Sequence, residues 1–79
     1  MYILFSPSHD RYYIGSTVDL EHRVARHNAG TNASTKAYRP WQLVYSENFE
    51  TLGLARRRES EVKSWKSRTH MVEKLGIVH

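Results

Sequence analysis

Between Tyr12 and His27 the hydrophobic pattern changes period, and that change restricts the fold more than any other feature of the chain. Arg11-Tyr12-Tyr13-Ile14 has the aromatic and β-branched character of a short strand. Gly15 stops it and Ser16-Thr17 turn the chain. From Leu20 onward the apolar positions fall at helical spacing, with Leu20, Val24 and His27 along one stripe. Asp19 is the expected N-cap, and Glu21 sits in the first turn, where the helix dipole favours an acid. Gly30, after Asn28-Ala29, suits the left-handed residue that ends a helix. So short a connection implies that strand and helix pack against one another.

The rest of the chain supplies partners for this unit. Tyr2-Ile3-Leu4-Phe5 reads as a strand, and Ser6-Pro7-Ser8-His9-Asp10 is turn chemistry. The two strands form an antiparallel hairpin. If Ser6 pairs with Arg11, Tyr13 lies opposite Leu4, and Tyr2, Leu4 and Tyr13 share one face. Thr31 to Pro40 is a polar loop, long for a small domain. Trp41 to Tyr45 reads as a third strand with Trp41, Leu43 and Tyr45 on one side. Thr51 can cap a second helix running to about Trp65, and a last helix from about Ser67 to Leu75 ends at Gly76. The order β-β-α-β-α-α implies an α+β fold, a small antiparallel sheet with helices packed on it, in a single domain over residues 1–79.

The chain has 79 residues and no cysteine, so neither a disulfide nor a thiolate zinc site can staple it. No apolar run approaches the ~20 residues of a membrane span, and the start lacks signal-peptide order. A soluble cytoplasmic protein without membrane contact is the expectation. The formal charge of +4 favours a polyanionic partner.

Arg23 and His27 are one helical turn apart and border the buried stripe. Arg23 could hold a phosphate bidentately, and His27 could move a proton or bond a phosphate oxygen. Each alone also reads as packing: a snorkelling arginine and a core-edge histidine. Glu59 is placed among Leu52, Ala55 and Val62 on the inward stripe of the second helix, where a carboxylate needs a partner. A metal ion, an arginine or a tyrosine hydroxyl would serve, and an i,i+4 pair with Lys63 is the plain alternative. A catalytic tyrosine would need nearby cations, and Arg23 could supply one for the strand tyrosines. Ser16 and Thr17 read as turn and cap residues. His9, His22, His27, His70 and His79 have no metal-ligand spacing. Arg56-Arg57-Arg58, Lys63, Lys66 and Arg68 form a basic patch, and Arg26 and Lys36 add charge near the first helix. One scattered inward carboxylate points to a single Mg2+ carrying several waters, if there is a metal.

Taken in order, Tyr2-Ile3-Leu4, Tyr13-Ile14-Gly15-Ser16-Thr17, Asp19-Leu20-Glu21-x-Arg23, His27-Asn28-x-Gly30, Pro40-Trp41-x-Leu43-Val44-Tyr45 and Ala55-x-x-x-Glu59-x-x-x-Lys63 resemble the GIY-YIG nuclease domain, in its short single-domain form. The resemblance covers nearly the whole chain, although Met1 stands before Tyr2 where the first motif has its leading glycine. It implies a three-stranded antiparallel sheet flanked by helices and hydrolysis of DNA phosphodiesters with one divalent ion, Mg2+ or Mn2+. By position it makes Tyr13 the water activator, Tyr2 the first-motif tyrosine, Arg23 the phosphate ligand, His27 a site histidine and Glu59 the metal ligand. Arg23, Arg26, Lys36, Arg56 and Lys63 are the expected DNA contacts. Branched, damaged or flapped DNA in repair or recombination is the expected substrate. With no room for a separate DNA-binding domain, a protein partner that supplies specificity is expected too. The rival readings are a non-catalytic nucleic-acid-binding module and an interaction module whose basic face meets an acidic partner.

Overall fold

Strand β1 (Tyr2–Ser6) is apolar on both faces, and in the computed structural model it becomes the middle of the sheet. The structure describes residues 1–31, 33 and 35–77; Asn32 and Ser34 of the polar loop, and His79 of the histidine set, lie outside the described residues. Strand β2 (Arg11–Gly15) pairs with one edge of β1 and strand β3 (Gln42–Ser46) with the other, both antiparallel, in the order β2-β1-β3. Helices α1 (Leu20–Ala29), α2 (Leu52–Ser64) and α3 (Arg68–Leu75) flank this sheet, and a short 3-10 turn covers Lys36–Tyr38. The α+β architecture expected from the sequence is the one observed. No helix among the described residues is long and apolar enough to cross a membrane.

Local chemistry sets the element ends. The side chains of Asp19, Thr51 and Ser67 each accept a hydrogen bond at 3.2 Å from the backbone N–H three residues on, capping α1, α2 and α3. Gly30 and Gly76 close α1 and α3 with φ of 78° and 65°. The hairpin takes the expected register: Ser6 opposes Arg11 and Leu4 opposes Tyr13.

Side chains of β1 alternate between two apolar clusters. Tyr2 and Leu4 point to one face, with Trp41, Tyr13, Leu20 and Val24. Ile3 points to the other, with Val62, Met71 and Ile77. Ile3 and Leu4 have no exposed surface at all, as a strand covered on both faces requires.

The third strand corrects one expectation. Trp41, Leu43 and Tyr45 do not share a side. Ile3 opposes Tyr45 and Leu4 opposes Leu43, so Val44 is an extra residue and β3 carries a bulge. Alternation resets there. Trp41 is buried against Tyr2 and Leu4, Val44 and Tyr45 pack with the Ile3 cluster, and Leu43 stays exposed.

Helix α2 has a thin apolar seam and is also fastened by charge. Arg58 grips Glu47, just past β3, through Nε at 3.0 Å and Nη2 at 3.2 Å. It also bonds Glu61 and lies over the Trp65 ring. The Tyr45 hydroxyl donates to the same Glu47 carboxylate.

Two glycines should respond oppositely to alanine. A Cβ on Gly15 would fall 2.5 Å from the buried Tyr2 hydroxyl oxygen, so Gly15→Ala is expected to lower stability by about 1–3 kcal/mol. A Cβ on Gly53 of α2 meets only Thr51 Oγ1, at 3.8 Å. Gly53→Ala should raise stability by roughly 0.5–1 kcal/mol. Urea unfolding midpoints of the two variants read both signs.

Candidate active site

The Tyr2 side chain runs beneath Gly15, where the missing Cβ leaves room for its hydroxyl. That hydroxyl lies 3.1 Å from His27 Nε2. On the far side of the ring, His27 Nδ1 lies 2.9 Å from Thr35 Oγ1. A neutral imidazole has one donor and one acceptor, and a hydroxyl faces each. The indole N–H of Trp41 donates to the Thr35 carbonyl at 2.9 Å. Asn28, next to His27, brackets the Trp41 backbone, accepting from its N–H at 2.6 Å and donating to its carbonyl at 3.1 Å. A polar column therefore runs from β1 through α1 into the loop before β3.

Both titratable members of this column are held neutral. Burial lowers the pKa of His27, and the charges of Arg23 and Arg26 add to the effect. Burial pushes the Tyr2 phenol far up; Tyr13 and Glu59 push it the same way, and Arg23 opposes them. Direct phosphate contact by His27 was one expectation. At 1% exposure, with both ring nitrogens on protein hydroxyls, His27 instead faces the site through the Tyr2 phenol.

The open part of the site lies around this phenol. The Tyr13 ring is 6.2 Å from that of Tyr2 and 4.7 Å from that of His27, and is partly exposed. Arg23 is partly exposed as well, and no described residue pairs with its guanidinium. Glu59 enters from α2. Ser16, the residue after Gly15, donates to Glu59 Oε1 at 2.6 Å, and Lys63 donates to Oε2 at 2.6 Å. The Glu59 side chain keeps 21% of its surface and that of Lys63 keeps 53%, so the carboxylate is not sealed in the core. Burial would raise its pKa, but the bonds from Lys63 and Ser16 and the charges of Lys63 and Arg56 hold it below the ordinary carboxylate value. Glu59 is thus an ionised, hard oxygen donor.

Of the other basic residues, Arg56 shares the electrostatic surroundings of Glu59. Arg26 is exposed on α1. Lys36 lines a separate open depression with Asn28, Arg39 and Pro40. Among the described residues no three His, Asp or Glu side chains cluster as a metal cage. A divalent ion at Glu59 would accordingly take one protein carboxylate and fill its remaining positions with water and substrate oxygens. Such an ion would exchange with the Lys63 ammonium at Oε2.

Two contributors read differently in the sequence. Ser16 looks like a turn residue and proves to be the group that aims Glu59. Thr35 looks like loop filler and proves to fix the second nitrogen of His27. The one signal for Ser16 is that an inward Glu59 requires a partner.

The buried neutral His27 makes a pH prediction. Its folded pKa lies below the ordinary 6.5, so below 6.5 the unfolded chain binds more protons than the folded one. Its contribution is complete above 6.5 and is lost as the pH falls toward the lowered folded value. Urea midpoints should therefore drop as the pH is lowered from neutral, and drop less steeply in His27→Gln.

Residues 1–73 match the family model described as the GIY-YIG catalytic domain. A UPF0213 protein of Haloquadratum walsbyi is 46% identical over 59 residues, covering 73% of this chain and 66% of that protein. One from Staphylococcus haemolyticus is 48% identical over 54 residues, covering 67% and 66%. One from Natronomonas pharaonis is 40% identical over 65 residues, covering 81% and 75%. The match to the first of these thus spans about two thirds of the relative's length. No solved structure gives a significant match. With strands, first helix and second helix all inside the matched residues, the chain belongs to the GIY-YIG family.

Proposed function

We propose that this protein is an endonuclease that hydrolyses DNA phosphodiester bonds with one divalent ion, Mg2+ or Mn2+. The observation that carries the reading is a pair of opposite charges, Arg23, unpaired among the described residues, and the ionised Glu59, both within electrostatic reach of the Tyr2 phenol. Arg23 is suited to hold a non-bridging phosphate oxygen pair in its planar fork. Tyr13, partly exposed beside His27, is suited to hold and orient the attacking water through its hydroxyl oxygen. Tyr2 remains a neutral donor, and His27, locked by Thr35, fixes its direction; these two are positioning residues. Ser16 holds Glu59 Oε1, and Oε2, bonded by Lys63, is the oxygen a divalent ion would take in exchange for the ammonium. When bound at Glu59, a divalent ion supplies positive charge for the leaving 3′ oxygen.

The Lys63–Glu59 ion pair favours a second reading, a DNA-binding domain without hydrolysis, because the pair already neutralises the carboxylate. Purified protein incubated with plasmid, single-stranded and branched DNA in Mg2+ or Mn2+ separates the two. Glu59→Gln keeps the shape and the Ser16 bond, and is expected to lose at least ~100-fold in cleavage rate while still binding DNA in EDTA. Tyr13→Phe and Arg23→Ala should each lose cleavage as well. Cleavage that is the same in wild type and Glu59→Gln assigns the activity to a contaminant and ends the nuclease reading. Salt-dependent binding with no cleavage in either metal selects the second.

A further inference from the structure

A groove of about 210 Å³ runs between the outer edge of β2 and the corner where α2 meets α3. Its floor is apolar: Ile14, Val62 and Met71, the last two almost fully buried. Tyr12 walls one side, beneath the Arg68 guanidinium, 4.9 Å from its ring centre. Arg68 is itself held by the Asp10 carboxylate at 2.8 Å. Lys63 and Lys66 stand on the rim, and Lys63 also touches Glu59, so the groove opens onto the candidate site.

Lys66 is the informative residue. It is the single residue between Trp65, which ends α2, and Ser67, which caps α3. Its φ is +55°, a left-handed conformation that glycine adopts without the steric cost a lysine carries. No described carboxylate pairs with it, so no ion pair among the described residues offsets that cost. A lysine in a left-handed seat that suits glycine, with its ammonium unpaired among the described residues beside an apolar slot, points to an anionic ligand with a flat apolar part.

We propose that this groove is a subsite for one unpaired nucleotide next to the bond that is cut, with its base on the apolar floor beside Tyr12 and its phosphate on Lys66. The inference rests on the nuclease reading and narrows its substrate class to DNA with a single-stranded segment at the cut. A base inside a duplex has both faces covered by its neighbours, so only an unpaired base can lie on the floor. The volume is below the ~300 Å³ at which ligand clefts begin, which suits one ring system and not a base pair.

The test is binding in EDTA, where nothing is cut, followed by fluorescence anisotropy over a salt series. The probes are a short labelled single strand, the same sequence as duplex, and an abasic strand of equal length. Lys66→Gly removes the ammonium and relieves the backbone, so its melting temperature should stay level or rise. It should nonetheless bind the single strand roughly fivefold more weakly and lose about one unit of salt slope. Lys74→Ala, an exposed α3 lysine outside the groove, controls for net charge and should change binding less than about twofold. Wild type should prefer the single strand to the duplex and the normal strand to the abasic one. Equal losses in Lys66→Gly and Lys74→Ala, or equal affinity for the normal and abasic strands, overturn the subsite and leave the nuclease reading standing. Failure of wild type to bind any probe at low salt overturns both.

Discussion

A histidine ring with no exposed surface to spare is the interaction on which the rest of this structure depends. Every buried side-chain nitrogen and oxygen among the described residues has a partner. His27 needs two, one for each ring nitrogen, and they come from opposite directions: Tyr2 on the central strand and Thr35 in the loop beyond α1. Leaving either nitrogen unmatched in the interior costs about 1–3 kcal/mol, a large part of the stability of a domain this size. The ring therefore holds α1 against β1 at one height, and holds the loop against both. Asn28 and Trp41 continue the same fixing to the start of β3.

That fixing ends at a hydroxyl on the border of the candidate site. Tyr2 is buried by its own strand, but its oxygen lies under a glycine at the end of the neighbouring strand. The residue after that glycine aims Glu59, and the residue four before His27 is Arg23, unpaired among the described residues. Acid, base and phenol thus come from three elements that meet at one end of the sheet. The phenol and the carboxylate are positioned by bonds made behind them, to His27 and to Ser16.

Much of this was legible in the sequence, for a local reason. Caps, hairpin register and helix limits depend on residues close in the chain, and Asp19, Thr51, Ser67, Gly30 and Gly76 declare them through their own side chains or lack of one. The inward placement of Glu59 followed from counting around a helix. What was not legible depends on separation. Ser16 meets Glu59 across 43 positions, and nothing in either neighbourhood announces the other. The bulge at Val44 leaves no mark within Trp41 to Tyr45, because it is set by how β1 presents Ile3 and Leu4. The depth of His27 was hidden because its stripe shows which way the ring faces, not that two hydroxyls wait on either side of it.

Arg58 and Glu59 are adjacent in α2, yet they reach opposite margins of the sheet. Arg58 takes Glu47, where β3 ends, and Glu59 takes Ser16, where β2 ends. The helix is therefore a strut lashed at one point to both outer strands, with β1 passing between them. Any change in sheet twist must be followed by rotation of the strut, so the carboxylate travels with the sheet as one body. The same lashing makes the chain unequal in what length changes it tolerates. An added residue in the stretch before Thr51 can bulge outward, whereas one added within α2 ahead of Arg58 turns both ties by about 100° and releases them together.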